Sequence, residues 1–364
     1  MDGTKFIVIS NTYGPAKIRE RYENLRACCR TSFQVDGKHI ILDLNAGHLS
    51  VKTFDVDFQT VYACLSFVYS ESKLHKQGDM VSFLNHLSNE NSQRIEKLHY
   101  IRGSIIQNYK GFYLVYQPVV DSKTEQLIGA EALIRWRSER YGVVPPDHFI
   151  PLLEKDPLFP ELGKWILQTA LRDAKRIMER VPDFTVNVNL SYTQLEKGGF
   201  VDMVLQTLKD ADFPPDHLCL EITERCRLLD MKILKDMITA LRSYGVRFAL
   251  DDFGTGFSSI GLVKNLPFDT IKIDRSFVLK IEEDEKEKAL VENFVNMAAT
   301  FGAKVCIEGI ETAGMKEILQ KYKVQSFQGY YYGKPLPIVE IENILTDWDA
   351  RFEVKDSSSL RSSE

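Results

Sequence analysis

Several β-rich stretches of this sequence carry polar groups where a buried strand should be apolar. A parallel strand is normally covered on both faces, so odd and even positions should both be hydrophobic. In VNVNLS (186–191), however, Val186, Val188 and Leu190 share one parity while Asn187, Asn189 and Ser191 share the other. In LCLEITE (218–224), Glu221 faces away from Leu218, Leu220 and Ile222. The same alternation sets Asp251 against Leu250 and Asp252 in ALDDF, Lys272 and Asp274 against Ile271 and Ile273 in IKID, and Glu308 against Val305 and Ile307 in VCIEGIE. In EALIR, Glu131 and Arg135 share a face. With the apolar parity packed on outer helices, the polar parity points into one pocket. Asp252 and Glu311 fall on the other parity and join it only because their strands end there.

Six acids (Glu131, Glu221, Asp251, Asp252, Glu308, Glu311) gathered in a desolvated pocket require a counter-charge, because each uncompensated buried charge costs several kcal/mol. Carboxylate oxygens plus one amide, without Cys or His, favour hard cations such as Mg²⁺ or Mn²⁺ over zinc. Two such ions roughly 3.5–4 Å apart suit phosphodiester hydrolysis, one activating water and the other stabilising the leaving oxygen. Lys272 and Arg135 supply positive groups for a phosphate or for orienting the nucleophile. The competing reading, in which each acid is a separate strand-end salt bridge or helix cap, suits a single residue such as Glu311 better than the whole set. DDFGTGFSS (251–259) adds a loop in which Gly254 and Gly256 can adopt backbone conformations closed to other residues. Glu224, three residues beyond Glu221, is placed to hold that loop through hydroxyls and backbone N–H groups.

The elements that must position these residues are legible from about residue 112. Short β-rich runs at 112–120, 129–136, 184–191, 217–224, 247–254, 269–277, 303–311 and 326–333 alternate with amphipathic helical stretches such as ELGKWILQTALRDAKRIMER and EKEKALVENFVNMAATFG. Eight βα units in about 240 residues predict a TIM-type (β/α)8 barrel, with active-site residues at the carboxyl ends of its strands. The doubly wound sheet lacks its Gly-rich phosphate turn here. The first 110 residues read as a smaller N-terminal α/β region, with strands near 5–9 and 39–43 and then a polar helical stretch from about residue 72. The end, KDSSSLRSSE, reads as a disordered tail.

The chain has 364 residues, 44% hydrophobic and 27% charged, with a formal charge of -5, which excludes a general nucleic-acid-coating surface and suits a folded globular protein. Its six cysteines include no CxxC pair and read as reduced thiols in a cytoplasmic protein. No apolar run approaches the roughly 18–20 residues that span a bilayer, and MDGTKFIVIS lacks the marks of a signal peptide.

At the residues singled out above, the sequence resembles the EAL family of cyclic di-GMP phosphodiesterases. The hallmark stands as Glu131-Ala132-Leu133, preceded by QPVV (117–120) and followed in the family's order by VNLS, EITE, DDFGTGFSS, IKID, IEGIE and QGYYYGKPL. The resemblance implies metal ligation by Glu131, Asn189, Glu221, Asp251 and Asp252, with Asp251 bridging two ions, Mg²⁺ or Mn²⁺. It implies Glu308 as a second-metal ligand or general base, Lys272 as the holder of the attacking water, and Glu311 and Gln328 as support for this set. Gln117 and Arg135, together with Gln328, match substrate-contacting positions, and Glu224 matches the acid anchoring the loop. The implied reaction converts cyclic di-GMP to linear pGpG, with a catalytically silent cyclic di-GMP receptor as the alternative.

The resemblance divides the chain into a barrel at 111–350, a helical linker at 89–110 and a tail at 351–364. Residues 1–88 resemble, more weakly, the second half of a GGDEF domain. Asp2, Gly3, Thr4 and Lys5 do not reproduce that motif, so cyclase activity is not expected and the chain reads as a piece or shortened product of a longer signalling protein. Family members commonly pair through the segment after DDFGTGFSS, implying a homodimer through Ile260, Leu262, Val263 and Leu266, unless these pack on their own barrel.

Overall fold

The computed structural model describes residues 6–11, 14–30, 33–35, 38–40, 44–50, 61–62, 64–65, 68–69, 72, 78–82, 89–154, 156, 158–195, 198–255, 259–346 and 348. The chain divides into two compact units, Met1–Gly103 and Ser104–Glu364, and the division falls within the helix Asn89–Ile106.

In the first unit a helix, Pro15–Arg30, precedes the antiparallel pair Phe33–Val35 and Lys38–Ile40, and Ala46–His48 pairs in parallel with Met80–Ser82. Cys64, Val68 and Val81 form a small buried cluster. Two expectations change here. Residues 6–9 are not a strand: Phe6, Ile7, Val8 and Ile9 are exposed. A β-rich run becomes a strand only when a neighbour satisfies its backbone, and among the described residues none does. Met80–Ser82, expected within a helical stretch, is a strand because it finds such a neighbour in Ala46–His48. Residues 1–5, which carry the altered motif, and the tail at 351–364 lie outside the described residues.

The second unit is a closed eight-stranded barrel flanked by helices. Its strands are β1 (Phe112–Asp121), β2 (Leu127–Ser138), β3 (Thr185–Leu190), β4 (Leu218–Thr223), β5 (Arg247–Phe253), β6 (Thr270–Ile273), β7 (Lys304–Ile307) and β8 (Ser326–Gln328). Each pairs with its successor, and β8 pairs with β1 to close the ring. A short strand, Gly142–Val144, hangs on the outer end of β2.

The barrel departs from eight parallel βα units at one place. β1 runs antiparallel to both β2 and β8. The cause is local: an Asx turn joins β1 to β2, with the N–H groups of Lys123 and Thr124 donating to Asp121 Oδ1 at 2.9 and 2.8 Å. Parallel strands need a crossover of a dozen or more residues, so a connection this short forces a hairpin. β8 is also shorter than its sequence run, ending at Gln328 where the chain turns at Gly329. A Cβ there would collide with the Ile310 backbone.

The helices and the apolar strand parity make one core. Helix Phe159–Met178 buries Leu167, Ala170, Leu171, Ala174 and Ile177, the spacing of one helical face. These belong to the same buried cluster as Val186, Val188, Leu218, Leu220, Leu250, Ile271, Ile273, Val305 and Ile307 from the strands. With that parity committed outward, the barrel lumen receives the polar one. No helix among the described residues is long and apolar enough to cross a membrane.

Candidate active site

Lys272, on β6, is 1% exposed and sits among four carboxylates. Its Nζ lies 2.7 Å from Glu308 Oε1, 2.8 Å from Glu221 Oε2, and 3.2 Å from both Glu131 Oε2 and Asp251 Oδ1. These acids come from β2, β4, β5 and the residue after β7, so four strands focus on one ammonium. Amides fix the carboxylates further. Asn189 Nδ2 donates to Glu131 Oε1 at 2.6 Å, Asn187 Nδ2 to Glu221 Oε1 at 2.7 Å, and Gln328 Nε2 to Glu131 Oε2 at 2.7 Å and to Gln117 Oε1 at 3.1 Å. The last set depends on the antiparallel β1–β2 pair, which puts Gln117 directly opposite Glu131.

Asp252 reaches the pocket through a break in the strand. Its φ is 54°, in the left-handed region that Asp tolerates better than most residues, and the β5–β6 register shifts between Leu250 and Phe253. Thr255 holds this bulge: its backbone N–H and its hydroxyl both donate to the Asp252 carbonyl, at 3.2 and 2.9 Å. The following Gly254, at φ 95°, leaves no room for a Cβ, which would meet the Phe277 ring at 2.7 Å.

Charge is crowded here. Burial pushes Glu221 well above the carboxylate range, Asp251 upward and Glu308 to about 8, with neighbouring acids adding to the rise. Asp252 rises to about 6 through desolvation and the charges of Asp251 and Asp274. Glu131 goes the other way: burial opposes ionisation, but the Lys272 charge and the hydrogen bonds from Gln328 and Asn189 outweigh it. Burial would neutralise Lys272, yet the surrounding acids hold its ammonium well above the usual lysine range. One ammonium cannot balance five ionised carboxylates.

The donor set therefore fits divalent cations. Oxygens of Glu131, Glu221 and Asp251 lie within 4.8 Å of one another, as do those of Asp251, Asp252 and Glu308, so Asp251 belongs to both triples. Asp251 Oδ1 is buried without a hydrogen bond, since four carboxylates compete for the three protons of one ammonium. The triples open on a pocket of about 280 Å³, lined on its acidic side by Asp251, Asp252, Asp274, Glu308 and Glu311.

The EAL domain family model matches residues 101–335. The chain belongs to the EAL domain family. A bifunctional diguanylate cyclase/cyclic di-GMP phosphodiesterase of Pseudomonas aeruginosa, MucR, is 29% identical over 347 residues, covering 94% of this chain and 50% of the relative. An uncharacterized protein of Azorhizobium caulinodans is 31% identical over 339 residues, covering 92% of this chain and 45% of its own length. This chain thus spans half or less of these relatives. Among solved structures, the MucR phosphodiesterase in complex with c-di-GMP aligns with a TM-score of 0.63 at 33% identity, covering 67% of this chain and 99% of the other. The EAL enzyme Bd1971 with cAMP and cyclic-di-GMP bound gives 0.67 at 30% identity, covering 78% and 74%.

Within this EAL barrel, Glu131, Glu221, Asp251, Asp252, Lys272, Glu308, Asn189, Gln117 and Gln328 come together as described. Glu311 is exposed on the same pocket wall. Arg135 does not line the pocket: its Nη1 donates to the Ile134 carbonyl at 2.9 Å. Glu224 is buried at the start of the 3₁₀ turn Glu224–Leu228, while residues 256–258 of the loop it was expected to anchor lie outside the described residues. Of the residues expected at a dimer face, Leu262, Val263 and Leu266 are buried in the barrel's own core and Ile260 is exposed. The sequence reading placed Asn187 on the polar parity without giving it a role, and passed over Thr255. Asn187 shares the parity of Asn189, a signal that was available; Thr255 acts on a backbone carbonyl through its N–H and hydroxyl, which strand alternation does not signal.

Proposed function

We propose that this EAL barrel hydrolyses one phosphodiester bond of cyclic di-GMP to linear pGpG, in bacterial second-messenger signalling. The observation that carries this reading is the pair of carboxylate triples sharing Asp251, the arrangement two divalent cations require for an in-line displacement at phosphorus. The relatives named as cyclic di-GMP phosphodiesterase or solved with cyclic di-GMP support the choice of substrate. Glu131, Asn189, Glu221 and Asp251 would hold one Mg²⁺ or Mn²⁺, and Asp251, Asp252 and Glu308 the other. Such ions supply Lewis-acid activation of water and neutralise charge on the leaving oxygen.

The chain's own groups do the rest. Lys272, kept protonated by its acids, donates a hydrogen bond that orients the attacking water toward phosphorus. Glu308, 2.7 Å from the Lys272 ammonium on the pocket wall, serves either as the second ion's ligand or as a general base. Gln328 holds Glu131 in position and Glu311 closes the acidic wall. Gln117 takes up the substrate, Arg135 is set aside from that role because it lies off the pocket lining with Nη1 on the Ile134 carbonyl, and Glu224 anchors the loop at 251–259.

The same reading includes a cytoplasmic location, no nucleic-acid polymer as partner, and a homodimer formed through the helix Ser259–Asn265, which presents Ile260 to solvent. It assigns catalysis to 111–350, a linker to 89–110, and no cyclase activity to the GGDEF-like 1–88. The test is incubation of the purified chain with cyclic di-GMP and Mg²⁺ or Mn²⁺, with and without chelator, and chromatography of the products. Chelator-sensitive release of pGpG is expected. Binding without release would instead identify a receptor.

A further inference from the structure

The helix Pro146–Leu153, which follows β2, is capped at its carboxyl end by Glu154. A carboxylate there faces the negative end of the helix dipole, the terminus that favours cations. Local helix chemistry therefore does not account for an acid at this position. The turn that carries it is anchored by Phe149 and Leu153, both fully buried.

The two oxygens of Glu154 reach two different strand exits. Oε1 accepts from the Ser191 hydroxyl at 3.3 Å, and Oε2 faces Arg225 Nη1 at 3.5 Å. Ser191 is the first residue after β3 and Arg225 the second after β4. These strands run parallel with Asn189 opposite Glu221. Glu154 thus joins the two exits just beyond a pair of residues assigned to the metal site, although it does not itself line the pocket.

The links from these contacts to the pocket are short and stiff. Ser191 N–H donates to Gln194 Oε1 and Gln194 N–H to the Ser191 carbonyl, both at 3.0 Å, which closes the turn. Gln194 is buried against Gly163, where a Cβ would collide with its side-chain amide. Two residues before Ser191, Asn189 Nδ2 holds Glu131 Oε1 at 2.6 Å. On the other side, Arg225 directly follows the buried Glu224 in the 3₁₀ turn Glu224–Leu228.

Resting on the phosphodiesterase reading above, we infer that Glu154 is a positioning residue for the metal site, clasping the exits of β3 and β4 so that Asn189 and Glu221 meet the same ion. The Ser191 bond carries most of this role, because the Arg225 side chain is 66% exposed and exposed ion pairs are weak.

The test titrates the purified chain with Mn²⁺ by calorimetry, without substrate, alongside melting temperatures and steady-state kinetics in Mg²⁺. Glu154→Ala should weaken Mn²⁺ binding about 10–100-fold and lower kcat, with KM for cyclic di-GMP near that of the wild type. Glu154→Gln keeps an acceptor for Ser191 and should restore most of the affinity. Ser191→Ala should reproduce the loss, and the double alanine variant should be no worse than either single one, since both remove the same contact. Ser191→Ala also serves if Glu154→Ala misfolds. Wild-type Mn²⁺ affinity in the alanine variants, a fall in melting temperature alone, additive losses in the double variant, or no recovery in Glu154→Gln would each overturn the clasp. A wild-type chain that binds Mn²⁺ with the expected losses in the variants, but releases no pGpG, would overturn the phosphodiesterase and leave the clasp standing.

Discussion

Lys272, on β6, and Glu308, the residue after the neighbouring β7, stand with Nζ 2.7 Å from Oε1, and the same ammonium is shared with Glu131, Glu221 and Asp251. Lys272 is thus the electrostatic centre of the barrel lumen as well as a candidate catalytic group, and the two roles separate experimentally. In Lys272→Ala the metal-free protein should lose about 3 kcal/mol or more, because removing one partner leaves buried carboxylates uncompensated. Saturating Mg²⁺ should recover much of the melting temperature, whereas kcat should stay low at near-normal KM if the ammonium orients the nucleophile. Full recovery of the rate in a Mg²⁺ titration would reject the orienting role and leave charge balance alone.

Glu131→Ala should abolish hydrolysis while binding of cyclic di-GMP survives better. The substitution removes an oxygen of the first carboxylate triple and deprives Asn189 and Gln328 of their common acceptor. More than about a tenth of the wild-type rate at saturating metal would be inconsistent with a ligand whose loss costs several kcal/mol at the transition state.

Calcium should inhibit. It accepts the same oxygens at longer distances and in looser geometry than Mg²⁺, which spoils a spacing set by one shared Asp251. Product formation with Ca²⁺ at the Mg²⁺ rate would argue against the two-ion site.

Asn187→Ala should lower activity about 10–100-fold, the usual effect of removing a group that orients a metal ligand. The amide donates to Glu221 Oε1 while Lys272 bonds the other oxygen, Oε2. Metal titrations followed by activity would show it, and an unchanged half-saturation point with an unchanged rate would remove Asn187 from the site.

Gly254→Ala should be far more damaging than its size suggests. Holding an alanine at φ 95° costs about 1–2 kcal/mol, and the new methyl group meets the Phe277 ring, so strain passes directly to Asp251 and Asp252. A displacement of about 1 Å there costs on the order of a hundredfold in rate. Gly261→Ala provides the control: it lies in the helix Ser259–Asn265 with open space around its Cβ position, and should be neutral or slightly stabilising. Equal activity of the two variants would show that the bulge does not position the acids.

The sequence by itself determined which side chains enter the lumen. Alternation is a local property, and once Val186, Leu220, Leu250, Ile271 and Ile307 are committed to the helices, Asn187, Glu221, Asp251, Lys272 and Glu308 have one direction left. It also determined eight β-rich runs in order, and hence a barrel. Tertiary structure alone decided what those side chains do once inside. Four carboxylates sharing one ammonium is a consequence of ring closure, because residues more than a hundred positions apart, such as Glu131 and Lys272, become neighbours only when β8 returns to β1. The antiparallel β1, which sets Gln117 opposite Glu131, follows from a turn too short for a crossover. The entry of Asp252 against its own parity depends on a bulge held by the Thr255 N–H and hydroxyl on the Asp252 carbonyl, a local contact that strand alternation does not announce. Leu262, Val263 and Leu266 read equally well as an interface or as core; packing against the barrel's own strands resolved them, since an apolar side chain is indifferent to which chain buries it.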